Sequence, residues 1–224
     1  MSIDRFLTAY LSVFRAFMND LLVVLNYLTH SPIKKTITHR IQEFKNLGKQ
    51  SSEQIFQELC FCLLTANCQA QSCMQMQEKM RKDFLMLPEK KLAQKLRTLG
   101  YRFPNTRAQY ITTARKKFPM IHQQLETHSG AELRNYLVKE IKGLGYKEAS
   151  HFLRNIGYDD YAIIDFHIID ILVRQHLIQK PKTLTKKQYL LIENILRDLA
   201  RNLNMSLAEL DLYLWFLETG KILK

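Results

Sequence analysis

The chain has 224 residues, 46% of them hydrophobic, a formal net charge of +12 and a pI near 9.5. This is enough apolar surface for one domain or two small lobes, and seven glycines and five prolines argue against flexible linkers. The positive charge suits either a polyanionic partner or a solvated basic surface. The most apolar stretch is too short to cross a bilayer, and the N-terminus lacks the order of a signal peptide. We therefore expect an intracellular protein with no membrane partner.

The first predicted element is an amphipathic helical extension over residues 1–30. Apolar side chains recur in alternating steps of four and three from Leu7 to Leu28, which is typical of a helix that packs on the body of the protein or on a partner. Pro32 marks the end of this extension, and a helix through about Phe44 should follow.

A buried helix is predicted over residues 51–66, followed by a polar break at Asn67, Cys68 and Gln69 and a second helical run over residues 71–84. All four cysteines of the chain lie in this part, at positions 60, 62, 68 and 73. Cys60 and Cys62 lie inside an apolar helical run and are interpreted as buried free thiols, and the spacing of the four cysteines matches no familiar zinc or iron–sulfur pattern. We predict no metal, no cofactor and a reducing compartment.

Two basic helices are predicted next, over residues 88–99 and 105–117, the second beginning at Asn105 as its N-cap. The cations of the second helix are interpreted as a solvated face; they are Arg107, Arg115, Lys116 and Lys117. Three capping boxes predict the starts of later helices, in the pairs Ser129/Glu132, Thr185/Gln188 and Ser206/Glu209. No strand pattern with hairpin turns is present, so the prediction is an all-α fold of about ten to twelve helices.

The most informative stretch is residues 141–171. It predicts a helix, a tight hairpin containing Gly143 and Gly145, and a second helix that stops at Gly157. Two glycines so close allow positive φ and close approach of a ligand to the backbone. Amides beside a helix N-terminus favour an anion, and on a basic chain the best match is a DNA phosphate.

Two residues of this stretch could cleave an N-glycosidic bond. Lys147 lies in the first turn of the second helix, where the helix field, together with burial, favours a neutral and nucleophilic amine. Asp165 follows an apolar pair and precedes a helical pattern, so it is predicted to be an N-cap that stays ionised. The amine would capture C1′, and the carboxylate would stabilise positive charge on the sugar. His151, one turn after Lys147, is interpreted as a packed histidine.

These residues resemble the helix-hairpin-helix DNA glycosylase superfamily, and within it the 8-oxoguanine DNA glycosylase/lyases of the second type. The motif consists of GLGYKEA at 143–149 and IDFH at 164–167, and the resemblance extends from about residue 37 to residue 224. Three further segments share it: ELCFCLLTAN (58–67), GYRFPNTRAQYI (100–111) and GKILK (220–224). The resemblance implies that Lys147 is the Schiff-base nucleophile, Asp165 the catalytic carboxylate and His167 a phosphate contact.

The resemblance also implies two helical lobes with a catalytic cleft between them. Residues 51–159 would form the central lobe, with the helix-hairpin-helix at about 130–157. Residues 31–50 and 160–224 would form a discontinuous lobe carrying Asp165. Four residues are given further roles: Asn67 and Gln69 in a loop that enters the duplex, and Trp215 and Lys224 in recognition of the damaged base.

The function implied is that of a bifunctional DNA repair enzyme that excises 8-oxoguanine and nicks the strand by β-elimination. Its partner would be double-stranded DNA containing a damaged base, and the enzyme would act as a monomer in the cytoplasm or at the nucleoid. One alternative is the same chemistry on an oxidised pyrimidine. The lack of any cysteine after Cys73, and so of the C-terminal four-cysteine cluster that some glycosylases of the superfamily carry, counts against it. Another is a non-catalytic DNA-binding module, which would need neither Lys147 nor Asp165.

Overall fold

A computed structural model describes residues 20–66 and 68–224. Throughout these ranges the regular structure is helical and no strand occurs, which confirms the predicted all-α fold. The helices are α1 (residues 20–29, where the description begins), α2 (Ile33–Leu47), α3 (Ser52–Thr65), α4 (Ala70–Met80), α5 (Asp83–Met86), α6 (Glu89–Thr98), α7 (Pro104–Thr127), α8 (Gly130–Glu140), α9 (Tyr146–Asn155), α10 (Phe166–Arg174), α11 (Lys186–Asn202) and α12 (Leu207–Thr219).

Most of the predicted N-terminal stripe lies outside the described residues. Its described part, in α1, buries Leu21 and Leu25 as an amphipathic helix should. Within the described ranges, no helix combines the length and apolar character needed to span a membrane.

The chain divides into two compact units. One extends to Ile41 and resumes over Asp159–Ile222, and the other comprises Gln42–Tyr158 and the terminal pair Leu223–Lys224. The first boundary falls inside α2, and just after this helix Gly48 lies so close to the end of α9 that an added Cβ would be 2.0 Å from the carbonyl oxygen of Ile156. Both this boundary and the placement of the last two residues differ from the predicted lobe limits.

In the second unit, α3 forms the centre of the core. Its residues from Ile55 onward are buried almost without interruption, and it packs against α4, α7 and α9. Ser51 and Gln54 form a complete capping box that fixes where α3 begins. Because α9 packs directly on α3, side chains from the two helices can meet in the interior.

Several predicted helix limits are wrong. Helix α7 begins at Pro104, whose fixed φ suits the first helical position, so Asn105 is not the N-cap. The same helix continues past Pro119 to Thr127. The run predicted over residues 71–84 is two helices, because the backbone leaves helical geometry at Arg81 with φ −6° and ψ −87°.

Two of the three predicted capping boxes are formed. Those of Thr185 and Ser206 are formed, and each side chain accepts the backbone N–H three residues on. Ser129 precedes α8 without making a side-chain cap hydrogen bond, so that prediction is wrong. Its φ of −144° and ψ of 173° place it in fully extended backbone before Gly130, which has a positive φ.

Candidate active site

The glycine hairpin lies between α8 and α9, as predicted, but its two glycines have different roles. Gly143 has φ +86°, and a Cβ there would be 2.2 Å from the ring of Tyr110. Both backbone conformation and space therefore require glycine. Gly145 is in extended backbone, with φ −86° and ψ −176°, so the expectation of a positive φ at that position is wrong.

Glu148 connects the hairpin to Lys147. One carboxylate oxygen accepts the N–H of Gly145 at 3.3 Å, and the other lies 3.5 Å from the Lys147 ammonium nitrogen. The Gly145 amide is thus bound by a carboxylate of the protein itself, so it is not free to bind the phosphate anion expected at this helix N-terminus. The side chain of Lys147 is 27% exposed, so it is not enclosed in the core.

His151 lies one turn further along α9 and is 6% exposed. Its ring meets Phe61 edge to face, with centroids 5.5 Å apart, as expected for a packed histidine. Neither ring nitrogen makes a hydrogen bond of good geometry within the described residues. Burial, and then the charges of Arg154 and Lys147, hold the pKa of His151 well below its usual value, so the ring is neutral.

Glu58, on α3, is a carboxylate buried to 2% exposure. Its oxygens accept hydrogen bonds from Asn155 Nδ2 at 2.6 Å, Gln77 Nε2 at 3.0 Å and Lys224 Nζ at 2.7 Å. Three donors from α9, α4 and the chain terminus therefore converge on one buried anion. This role of Glu58 could not be predicted from the sequence, because the local pattern does not identify the partners of a glutamate in an apolar helical run.

Asp165 caps α10 in the first unit. Its Oδ1 accepts the N–H of Ile168 at 3.1 Å, which confirms the predicted N-cap. The extended segment before it is fixed by α11, since the Tyr189 hydroxyl donates to the Ala162 carbonyl at 2.6 Å and accepts the Ile164 N–H at 3.3 Å. This rigid support leaves little freedom for the backbone that carries Asp165.

His167 and Trp215 are neighbours in the same unit. Their rings meet edge to face with centroids 4.8 Å apart, and His167 also lies against the exposed ring of Phe166. The indole N–H of Trp215 is buried and has no hydrogen-bond partner in the described part of the chain.

A family model described as 8-oxoguanine DNA glycosylase matches residues 37–205. The chain belongs to this family. An 8-oxoguanine DNA glycosylase/AP lyase of Methanocaldococcus jannaschii is 51% identical over 199 residues, which cover 88% of this chain and 96% of that protein.

A second relative and a solved structure of the M. jannaschii enzyme show the extent of the likeness. The 8-oxoguanine DNA glycosylase/AP lyase of Korarchaeum cryptofilum is 44% identical, over 92% of this chain and 99% of that one. A crystal structure of the M. jannaschii 8-oxoguanine glycosylase/lyase in complex with a 15mer DNA containing 8-oxoguanine superposes with a TM-score of 0.88 at 48% identity, covering 91% of this chain and 99% of that chain.

The end of α3, where the polar loop toward α4 begins, is supported by hydrogen bonds from Arg107 and Tyr101. Arg107 donates to the carbonyl of Ala66 at 3.1 Å and to the Tyr101 hydroxyl at 3.0 Å, and that hydroxyl donates to the Leu64 carbonyl at 2.8 Å. Burial raises the pKa of Tyr101 to about 12 against the opposing effect of Arg107, so the phenol remains a donor. Gln69, at the start of α4, is exposed; Asn67 lies outside the described residues.

The assignment of the α7 cations to a solvated face is wrong for two of them. Arg107 is buried in the support just described, and Arg115 donates to the carbonyls of Phe84 and Leu87 at 2.7 and 3.0 Å. The thiols agree with expectation, since Cys60, Cys62, Cys68 and Cys73 are all free. Burial raises the pKa of Cys60, Cys62 and Cys73 well above the usual thiol value.

The predicted site residues fall into two sets. The unit containing α3 and α9 holds Gly143, Gly145, Lys147, Gln69 and Lys224, and the charges of Lys147 and Lys224 both act on His151. The other unit holds Asp165, His167 and Trp215. Among the described residues, no group of three or more histidine, cysteine or acidic side chains is arranged to hold a metal ion.

Proposed function

We propose that the protein excises 8-oxoguanine from double-stranded DNA and then cleaves the strand at the abasic site. Its relatives in the family are named for both activities. Two observations support the chemistry in this chain: a partly exposed Lys147 follows the glycine hairpin, and Asp165 is fixed as the N-cap of α10. The enzyme would act as a monomer on DNA inside the cell.

In the proposed mechanism the Lys147 nitrogen attacks C1′ of the damaged nucleotide. The bond from C1′ to the base breaks, and the base leaves with the bonding electrons and takes up a proton. Opening of the sugar ring at C1′ gives an imine with Lys147, which acidifies the neighbouring carbon and permits β-elimination of the 3′ phosphate. The Asp165 carboxylate stabilises the positive charge that develops on the sugar before the base has left.

The base must leave the duplex before this attack, because C1′ is inaccessible within the stack. We assign the hairpin around Gly143 and the side chain of His167 to phosphate contacts, and Asn67 and Gln69 to the space left by the extruded base. His167 lies in the first turn of α10, where the helix dipole favours an anion. Trp215 and Lys224 are assigned to the base itself.

Borohydride trapping on duplex DNA containing 8-oxoguanine tests the proposed function. We expect a covalent protein–DNA adduct and strand cleavage on the 3′ side of the lesion. Undamaged duplex of the same sequence should give neither. Binding without adduct or base release would favour a DNA-binding module, and faster excision of an oxidised pyrimidine would change the substrate.

Substitution in the hairpin should separate the two glycines. Gly143→Ala places a methyl group against Tyr110 at a positive φ, so it should weaken binding to damaged and undamaged duplex alike, because phosphate contacts position the protein without reading bases. Gly145→Ala is the matched control, since its Cβ would meet only the flexible carboxylate of Glu148 at 3.0 Å. Fluorescence anisotropy at several salt concentrations would measure both, with binding falling steeply as salt rises. Loss confined to damaged DNA would contradict the phosphate role.

Deleting Lys224 should reduce excision of 8-oxoguanine far more than cleavage at a pre-formed abasic site, where no base remains to be recognised. The Lys224 ammonium is bound by Glu58 and Gln77, so the main-chain oxygen of Lys224 is the group left to accept hydrogen bonds from the N–H donors of the guanine edge. Single-turnover rates on the two substrates would measure the difference. Equal loss on both substrates, or none on either, would remove Lys224 from base recognition.

A further inference from the structure

We infer that Glu58 is a positioning residue for base excision: with Gln77 it binds the ammonium of Lys224, while Asn155 holds its other oxygen, and it so fixes the main chain of Lys224 next to α9. We call Glu58, Gln77, Asn155 and Phe61 the lysine seat. The inference rests on the proposed function, in which the chain terminus contacts the extruded base. It adds residues that do not touch the base and act only through Lys224.

The contacts in the seat surround the ammonium from several sides. Lys224 Nζ lies 2.7 Å from Glu58 Oε2 and 2.5 Å from Gln77 Oε1, and 4.3 Å from the centre of the Phe61 ring. The Lys224 side chain is 18% exposed. A carboxylate, an amide oxygen and an aromatic face are three groups that attract a compact cation.

The seat is itself held in place by hydrogen bonds that do not involve Lys224. Gln77 donates to Glu58 Oε2 at 3.0 Å and to the Gln57 carbonyl at 3.1 Å, which turns its amide oxygen toward the ammonium. Asn155 donates to the other Glu58 oxygen and accepts two hydrogen bonds from Arg154. Glu58 therefore has a fixed orientation even though it extends from an otherwise apolar helix.

Burial makes the seat strongly dependent on its cation. A carboxylate at 2% exposure loses its hydration, and a partner charge with further hydrogen bonds is needed to offset that loss. Asn155 and Gln77 supply neutral donors, and Lys224 is the cation that pairs with it at 2.7 Å. Folding the terminal residue into the seat therefore satisfies a buried charge, and a frayed chain end would leave it unsatisfied.

The location of the seat connects it to the chemistry. The backbone of Lys224 lies close enough to the His151 ring to act against the lowering of its pKa, although no hydrogen bond of good geometry forms. His151 follows Lys147 by one turn on α9, and Asn155 follows His151 by another. The seat thus holds the chain end along the helix whose first turn carries the proposed nucleophile.

A double-mutant cycle tests the inference. Glu58→Gln keeps the shape of the side chain and removes its charge, and Lys224→Met keeps the length of the lysine and removes its ammonium. Each should slow single-turnover excision of 8-oxoguanine by about 10- to 100-fold, the scale expected from displacing a contact group by about 1 Å. The double variant should lose no more than the worse single variant. Cleavage of a pre-formed abasic site should remain near the wild-type rate in all three.

Two controls keep this test decisive. Lys221→Met removes an exposed cation from the same tail and should leave excision unchanged. Gln77→Ala removes one contact to the ammonium and leaves Glu58 paired with Lys224. If thermal melting shows that Glu58→Gln does not fold, Gln77→Ala replaces it in the cycle with Lys224→Met. Glu58→Asp keeps the negative charge but should excise 8-oxoguanine little faster than Glu58→Gln, because the shorter side chain cannot reach both Asn155 and Lys224.

The outcomes separate the inference from the proposed function. Additive losses in the cycle would show that Glu58 does not act through Lys224, and equal losses on the lesion and the abasic site would make the seat merely structural. Either result overturns the inference, as would wild-type excision by folded single variants. If the wild-type protein itself leaves 8-oxoguanine in place, the proposed function fails instead.

Discussion

Lys147→Gln should abolish strand cleavage and imine trapping while DNA binding stays nearly intact. Glutamine has a similar reach but no nucleophilic amine, so the covalent step cannot occur. The Lys147 side chain extends from the first turn of α9 toward the Glu148 carboxylate. The geometry of the hairpin does not depend on it, because that geometry is set by Gly143 and Tyr110. Borohydride trapping and anisotropy on the same lesion-bearing duplex would measure the two properties together.

Lys139→Gln is the matched control for this experiment. Lys139 is an exposed lysine on α8, and its replacement removes the same charge from the helix-hairpin-helix without touching the proposed nucleophile. This variant should form the adduct at the wild-type rate. An adduct formed at normal rate by Lys147→Gln would instead identify another amine as the nucleophile. A loss of binding in Lys147→Gln equal to its loss of trapping would make the lysine a DNA contact.

The parts of the site that sequence analysis predicted correctly depend on neighbours close in the chain. The N-cap of Asp165 is a bond to a residue three positions away, and the capping boxes of Thr185 and Ser206 have the same span. The hairpin of Gly143 likewise requires only a positive φ at one residue. Local patterns of this kind predict local structure, because the partners are fixed by helix geometry.

The features that sequence analysis missed are contacts between residues far apart in the chain. Glu58 and Lys224 are separated by 166 positions, and Glu58 and Asn155 by 97. Arg107 binds the carbonyl of Ala66, 41 positions away, so the expectation of a solvated arginine could not be corrected from its own helix. A charged residue inside an apolar run indicates that a partner must exist, but tertiary packing decides which one.

The hairpin shows the same limit at short range. Two glycines separated by one residue suggested two positions of positive φ, yet only Gly143 has one. Glycine is also required there because Tyr110 from α7 occupies the space of a side chain. Gly145 instead begins α9, and its amide is bound by Glu148. The role of Lys147 as nucleophile and its neutral amine stay predictions, which the trapping experiment addresses.

Asp165→Asn should slow base removal by about 100-fold or more, because a fixed negative charge near the developing sugar cation is lost. Asparagine retains a side-chain oxygen that can accept the Ile168 N–H, so α10 should still be capped. The preceding segment stays bound to Tyr189 on α11, which does not depend on the charge of Asp165. Loss of activity with an unchanged melting temperature would therefore report on electrostatics and not on folding.

Asp170→Asn provides the comparison for Asp165→Asn. Asp170 lies on the same helix and pairs with Lys180, whose hydrogen bond lowers the pKa of the Asp170 carboxyl. The Asp170→Asn substitution removes the same charge from α10 at a position away from the N-terminus of the helix. It should leave single-turnover excision at the wild-type rate. If both variants slow excision equally, the effect is the general charge of α10 on DNA binding. If folded Asp165→Asn excises 8-oxoguanine at a near-normal rate, Asp165 is a structural cap, and the stabilisation of the sugar cation must come from another group.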